Sequence, residues 1–290
     1  MRGGARTLCA LAALLPAVVA VPAAGQTPLG YVTARGSTVT PAYEGWYPNP
    51  DGTVTLSWGF YNRNSEEVLE IPFGPDNFME PAEFDGLQPT SFTPSREWGA
   101  FGVIVPGDYD GPRVTWTLRI RGKTFAIPAN LTADWKIDAR VGDADGNLPP
   151  ELAFSGSGPW FVAPGGEYHE VEAEASEPIE LTVWARDDGR AAGLAAGFGG
   201  RQTPTVSLTW FKHSGPGDVA FAEESAQVPA EGGSMSAAAT FSEPGEYIIR
   251  ARANDLSGVS AAGHAQCCWT NAFFKVTVHA GPGGPERSAS

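Results

Sequence analysis

Residues 205–221, with the sequence TVSLTWFKHSGPGDVAF, alternate apolar and polar side chains before the chain breaks at a turn. Val206, Leu208 and Trp210 share one face of a predicted strand, because successive side chains of a strand point to opposite faces. The Ser-Gly-Pro-Gly run at residues 214–217 has the composition of a turn, and a second short apolar run follows it. This pattern predicts an all-β fold.

A second alternating strand lies downstream, in FSEPGEYIIRARAND at residues 241–255. A Pro-Gly turn precedes Tyr247, and Ile249, Ala251 and Ala253 continue the same face. A tryptophan-bearing strand, tight turns and a Pro-Gly-x-Tyr strand entry are typical of an immunoglobulin-like sandwich.

The stretch also resembles bacterial PKD-type, immunoglobulin-like extracellular domains. These domains carry a W-x-K-x-S-G-P-G turn, then F-x-x-P-G-x-Y and a final A-x-D, which are matched here by Trp210, Lys212, Ser214 to Gly217, Phe241, Pro244, Gly245, Tyr247, Ala253 and Asp255. The resemblance implies a β-sandwich that acts as a spacer or interaction module. It implies no transferable active site.

The rest of the chain predicts a second sandwich and almost no helix. The 290 residues include 36 Gly and 25 Pro, and no segment after the N-terminus keeps an apolar period of 3.6 residues. In the first half, TVTLSWGF (residues 53–60), WGAFGVIVP (98–106) and RVTWTLRI (113–120) alternate as strands do. We therefore predict two tandem immunoglobulin-like sandwiches, at residues 26–131 and 150–280, with a linker at 132–149 and a disordered tail at 281–290. The family of the first sandwich is not identifiable from its residues.

The N-terminus has the features of a secretory signal peptide. Arg2 and Arg6 precede a short apolar run, and small residues at 22–25 suit cleavage, so residues 1–25 are predicted to be removed. This predicts a secreted or periplasmic protein without membrane insertion.

The mature chain is strongly acidic. Removing Arg2 and Arg6 leaves 17 basic against 33 acidic residues, a net charge of −16. Nucleic acids bind through basic surfaces, so they are not expected as partners. An acidic surface favours solubility and attracts cations.

Cys267 and Cys268 are adjacent and are the only cysteines of the predicted mature chain. An exported chain meets an oxidising compartment, so a structural vicinal disulfide is the favoured interpretation. Reduced packing thiols are the first alternative. The second is a metal-binding or redox function, in which His264 adds a third soft-metal ligand.

Three acidic residues suggest a calcium site. Asp187, Asp188 and Asp255 end predicted strands, and they meet if both strand ends lie at one pole of the sandwich. Calcium takes six to eight oxygen ligands, which such a cluster begins to supply. Ordinary Asp-rich turns are the alternative.

Trp46 and Tyr47, in PAYEGWYPNPDG at residues 41–52, are the candidate ligand-binding residues. Aromatic rings in exposed loops stack on sugar rings, although such residues also cover the open end of a sandwich. No Gly-x-Ser-x-Gly, His-Glu-x-x-His or phosphate-loop motif is present, so no enzymatic activity is expected.

The sequence therefore predicts an exported, non-catalytic protein that acts in adhesion, in envelope structure or as a ligand-binding module. Its expected partner is a carbohydrate or another cell-envelope component. The alternative is a metal-binding or redox protein that uses the Cys267–Cys268 loop.

Overall fold

The computed structural model describes residues 33–140, 146–190, 205–255 and 267–281. Within these ranges the chain is built of strands, and its helical elements are two 3-10 turns, at Ala82–Phe84 and Ala133–Trp135. The predicted all-β class is confirmed. In the described residues, none of the helical segments has the length and hydrophobicity of a membrane-spanning helix. The predicted signal peptide and most of the predicted tail lie outside the described ranges.

Seventeen strands are present in the described residues. They are β1 (Val39–Pro48), β2 (Val54–Asn62), β3 (Leu69–Glu70), β4 (Asn77–Glu80), β5 (Ser91–Phe92), β6 (Ser95–Val105), β7 (Thr115–Ile120), β8 (Lys123–Pro128), β9 (Glu151–Ala153), β10 (Glu167–Glu174), β11 (Pro178–Arg186), β12 (Thr205–Ser214), β13 (Val219–Phe221), β14 (Ser225–Pro229), β15 (Gly233–Phe241), β16 (Gly245–Asn254) and β17 (Trp269–His279).

The first sandwich contains β1 to β8. One sheet has the strand order β1-β2-β6, another has the order β4-β7-β8, and β3 pairs with β5. Trp58, Phe101 and Trp116 fill the core, where the Phe101 and Trp116 rings meet edge to face with centroids 5.2 Å apart. These residues belong to the three alternating segments, so the strands predicted there are confirmed.

The second sandwich contains β9 to β17 and has an immunoglobulin-like strand arrangement. Its sheets have the orders β10-β17-β16-β12-β14 and β13-β15-β11-β9, with β10 parallel to β17. Trp210 on β12 is buried, and the hydroxyl of Tyr247 donates to the carbonyl oxygen of Glu243 at 2.9 Å. A buried tryptophan and a tyrosine that closes the corner before its strand are both features of this fold.

The two sandwiches belong to one compact unit. Arg250 on β16 is 2% exposed, and its Nη2 lies 2.5 Å from Oε1 of Glu97 on β6. The fully buried Phe273 on β17 belongs to the hydrophobic core of the first sandwich. The two sandwiches are therefore joined by a buried salt bridge and by a residue of one that packs in the core of the other.

The described part of the predicted linker is packed against these sandwiches. Ile137 donates its backbone N–H to the carbonyl oxygen of Trp46 at 2.9 Å. Ile137, Ala139 and Asn147 are buried, and Ile137 and Ala139 share a small core with Trp269 of β17. This segment adds to the contact between the sandwiches.

Candidate functional site

An open groove on the first sandwich, here called the aromatic groove, combines aromatic rings with charged side chains. It encloses about 410 Å³ between β1, β6 and the segment that follows Thr132. Its lining residues are Tyr43, Glu44, Arg96, Trp98, Asp134, Trp135, Lys136 and Ile137. This volume falls in the usual range for a small-ligand site.

Two irregularities in neighbouring strands create the groove. The β1–β2 register shifts between Tyr43 and Gly45, so Glu44 is an extra residue on β1. The β2–β6 register shifts next to it, where residues 98–100 of β6 bulge opposite Gly59. Bulges redirect side chains from the regular alternation of a strand. Here they place Glu44 and Trp98 at the same point of the sheet.

The Glu44 carboxylate forms the floor of the groove and is held by donors on several sides. Arg96 Nη2 donates to one oxygen at 2.6 Å, and the Gly99 N–H donates to the other at 2.8 Å. Ser57 Oγ donates to that second oxygen at 3.3 Å. These hydrogen bonds compensate the cost of burying the carboxylate.

Aromatic rings form the walls of the groove. The guanidinium of Arg96 lies 3.9 Å from the ring centroid of Trp98, which orients the half-buried indole. Trp135 is 39% exposed and lies 5.4 Å from the ring of Tyr43. Burial raises the pKa of Tyr43 far above its ordinary value, so its hydroxyl stays neutral and donates to the Asn130 carbonyl oxygen.

Gly45 allows the Trp135 segment to approach β1. Its φ of 136° lies in the region that favours glycine. A Cβ atom at this position would overlap the carbonyl oxygen of Trp135 and the side chain of Ile137. The short distance between β1 and this segment brings Trp135 beside Tyr43.

Trp46 and Tyr47, the predicted ligand-binding aromatics, lie outside the aromatic groove. Tyr47 is 2% exposed and packs with Ile137 and Trp269, so its ring has no open face in this structure, and ligand binding by these two residues stays a prediction. Trp46 is half-buried, and its indole N–H donates to the Thr132 carbonyl oxygen at 2.8 Å. Neither residue lines the aromatic groove.

Trp98 and Trp135 do line the groove, and the sequence around each of them contains a feature that could have drawn attention to it. Trp98 stands before Gly99, a glycine inside a predicted strand, which is a known mark of a bulge. Trp135 stands in a mostly polar segment, where it and Ile137 suggest a short strand.

The three acidic residues of the predicted calcium site lie near one pole of the second sandwich. Asp255 is buried and accepts from Nδ2 of Asn147, while Asp187 Oδ2 accepts from the Gly189 N–H at 2.8 Å. Asp188 is more exposed and accepts from the Arg190 N–H. Among the described residues, no group of three or more His, Cys, Asp or Glu side chains is arranged to hold a metal ion. Calcium binding here stays a prediction.

Asp187 makes the stability of the protein depend on pH. Burial, together with the charges of Asp255 and Asp188, raises the pKa of Asp187 from 3.8 to about 6. A carboxyl whose pKa is raised by folding favours the folded state at low pH, and this contribution is lost as the pH rises from 4 to 6. The protein therefore carries an unfavourable charge at neutral pH.

Asp187→Asn is expected to stabilise the protein relative to wild type as the pH rises from 4 to 7. We expect a gain of about 1 kcal/mol over this interval, because the carboxyl keeps partial contact with water. Unfolding in urea, followed at pH 4, 5, 6 and 7, measures the difference. Asp188→Asn is the matched comparison: it keeps the Asp187 carboxyl and should reduce the pH dependence of stability only in part, because burial is the main cause of the raised pKa of Asp187. A constant difference between Asp187→Asn and wild type at all four pH values would contradict the assignment.

Cys267 and Cys268 are joined by a disulfide bond. Both are buried, and the Asn147 side-chain amide donates to Sγ of Cys268 at 3.3 Å. Trp269 follows directly and donates its indole N–H to the Pro164 carbonyl oxygen at 3.0 Å. The doublet therefore anchors the start of β17 next to the predicted linker. His264, the third ligand of the metal-binding alternative, lies outside the described residues, so the metal or redox function stays a prediction.

No family model and no curated protein matches the chain. The D00–D0 domain of intimin is similar in structure at 11% identity, with 83% of this chain and all of that one covered, and a TM-score of 0.26. The Yersinia pseudotuberculosis adhesin InvE gives 13% identity over 82% of this chain and 58% of its own, with a TM-score of 0.23. Titin A168–169 gives 10% identity over 83% of this chain and 99% of its own, with a TM-score of 0.23. With scores this low, the fold assignment rests on the strand pairing described above.

Proposed function

We propose that this chain is an exported, non-catalytic binding module that captures a carbohydrate of the cell envelope or cell surface in the aromatic groove. In this proposal the signal peptide directs the protein to the periplasm or the exterior. The second, PKD-type sandwich acts as a rigid support for the first. By holding such a carbohydrate, the protein would act in adhesion.

The observation that carries the proposal is the pairing of aromatic walls with a polar rim. A sugar ring has an apolar face that stacks on an indole and hydroxyl groups at its edge that form hydrogen bonds. Trp135 and Trp98 offer the ring faces, and Asp134 and Lys136 stand at the rim. Arg96 and Glu44 hold each other in place, so the groove is formed before a ligand arrives.

Trp135→Ala is expected to weaken carbohydrate binding at least tenfold, which corresponds to about 1.4 kcal/mol. The mature chain, produced in an oxidising compartment, is incubated with cellulose, chitin and peptidoglycan, and retention is measured at increasing protein concentration. Trp98→Ala should act in the same direction. Since Trp135 is partly exposed, its removal should leave the melting temperature nearly unchanged.

Trp160→Ala is the matched control, because Trp160 is half-buried on the second sandwich, beneath the guanidinium of Arg186. It should bind as wild type does. Equal loss with Trp160→Ala and Trp135→Ala would contradict a site in the groove. Release of soluble sugar by the wild-type protein would contradict the non-catalytic part of the proposal.

A further inference from the structure

A second depression, here called the basic pocket, lies at another edge of the first sandwich. It encloses about 350 Å³ and is lined by Gly36, Ser37, Thr38, Arg63, Arg121, Lys123 and Phe125. None of these residues lines the aromatic groove. The three cationic residues come from two separate places, the end of β2 and the β7–β8 hairpin.

Positive charge is concentrated here in a chain whose formal net charge is −14. Arg35 acts on Glu67 electrostatically, so it is a fourth cation near the pocket. Glu67 is the carboxylate that contacts this group, through Arg121 Nη2 at 2.9 Å and the Gly36 N–H at 2.7 Å. An anionic ligand approaching this acidic protein is therefore attracted to this region.

The cations of the basic pocket are held in different ways. Arg63 Nη1 donates to the Thr40 hydroxyl, and its guanidinium lies 5.3 Å from the ring of Tyr61. Arg121 Nη2 lies 2.9 Å and 3.1 Å from the two carboxylate oxygens of Glu67. The Lys123 side chain is exposed and makes no hydrogen bond or ion pair with the described part of the chain, while its backbone pairs with Ile120 in the β7–β8 hairpin. Arg63 is thus held in place by the fold, Arg121 is paired with a carboxylate, and the Lys123 ammonium is exposed to solvent and can contact a ligand.

The hairpin turn presents Arg121 at a position where arginine is unusual. Arg121 and Gly122 have φ values of 51° and 72°, which define a two-residue turn that favours Asn-Gly. An arginine at the first position accepts a strained backbone conformation. Its side chain is placed toward Glu67 by this tight turn.

We infer that the basic pocket binds an oxyanion, a sulfate or phosphate ester, carried on an organic body. Planar guanidinium groups and an ammonium match such oxygens in charge and hydrogen-bond geometry. Phe125 supplies an apolar wall for the body that carries the group. The Arg121 side chain is 36% exposed, so a ligand oxyanion competes for it with Glu67, whose carboxylate also accepts from the Gly36 N–H at 2.7 Å.

Binding to dextran sulfate, with neutral dextran of the same length as reference, tests the inference, and polyphosphate distinguishes phosphate from sulfate. The wild-type chain should bind at least one polyanion and should not bind dextran. Lys123→Ala should weaken this binding at least fivefold, and Arg63→Ala should do the same. Glu67→Gln should strengthen it severalfold, because it removes the competing carboxylate.

Arg190→Ala is the matched control, since it removes one exposed cation from the second sandwich. It should change the affinity less than twofold. Failure to bind either polyanion would overturn the inference, as would equal weakening by Arg190→Ala and Lys123→Ala. Trp135→Ala should leave polyanion binding unchanged, so the outcome is independent of the carbohydrate proposal.

Discussion

Replacing Arg250 with alanine is expected to lower the free energy of unfolding by about 3–5 kcal/mol, because it breaks a buried ion pair from one side. The Arg250 side chain is 3% exposed and lies 2.5 Å from Glu97 Oε1. Its Nη1 donates to the Ala100 carbonyl oxygen at 3.2 Å, and its guanidinium lies 4.2 Å from the ring of Phe211. Alanine removes these contacts and leaves Glu97 buried with less compensation.

Urea unfolding, followed by tryptophan fluorescence, measures this effect. Arg252→Ala is the matched control, because Arg252 also pairs with Glu97 but its side chain is 18% exposed. It should cost about 1 kcal/mol or less. Arg250→Met combined with Glu97→Gln should recover part of the loss, because it removes both charges of the buried Arg250–Glu97 pair and keeps the volume, while Arg252 loses its carboxylate partner. A loss below about 1 kcal/mol for Arg250→Ala would contradict a buried, paired arginine.

Arg250 also shows where sequence reasoning reached its limit. The alternation of Tyr247, Ile249, Ala251 and Ala253 predicts correctly which face of β16 enters the second core. The same alternation places Arg250 and Arg252 on the opposite face, where solvent is the ordinary expectation. That face is covered by Glu97 of the first sandwich, which lies 153 residues away in sequence. Periodicity identifies the two faces of a strand, but it does not say what covers the second.

The aromatic groove was missed for a related reason. Alternation assumes a regular strand, whereas Glu44 and residues 98–100 lie at register shifts. Trp46 and Tyr47 stood beside a Pro-Asn-Pro-Asp-Gly turn and therefore resembled exposed loop residues. In the structure β1 continues to Pro48, and Trp269 joins Tyr47 in a buried cluster. The sequence shows that aromatic residues are present in these segments, but contacts between distant segments determine which of their rings face solvent.

Phe273→Ala is expected to cost about 3–5 kcal/mol and to destabilise both sandwiches. Phe273 lies on β17 of the second sandwich, yet its fully buried ring is part of the first core. It stacks on Tyr168 at 5.0 Å and meets His213 edge to face at 5.1 Å. A Cβ atom on Gly166 would overlap this ring, so the neighbouring backbone fits closely around it. Removing the ring therefore opens a cavity where the two sandwiches meet.

Phe274→Ala separates this effect from an ordinary core deletion. Phe274 is the next residue of β17 and points into the core of the second sandwich, where it is 3% exposed. It should cost a similar amount of stability, because the same atoms are removed from a buried site. The two variants should differ in which sandwich loses the protection of its backbone amides first.

Hydrogen exchange of backbone amides measures that difference. With Phe273→Ala, amides of β2 and β6 should exchange faster together with those of β17, because the first core has lost a member. With Phe274→Ala, faster exchange should begin in β12 and β16, whose side chains share its core. Unchanged protection of β2 and β6 in Phe273→Ala would mean that the sandwiches unfold independently. In that case the buried contacts between them would not make one cooperative unit, and the rigid support proposed for the aromatic groove would be wrong.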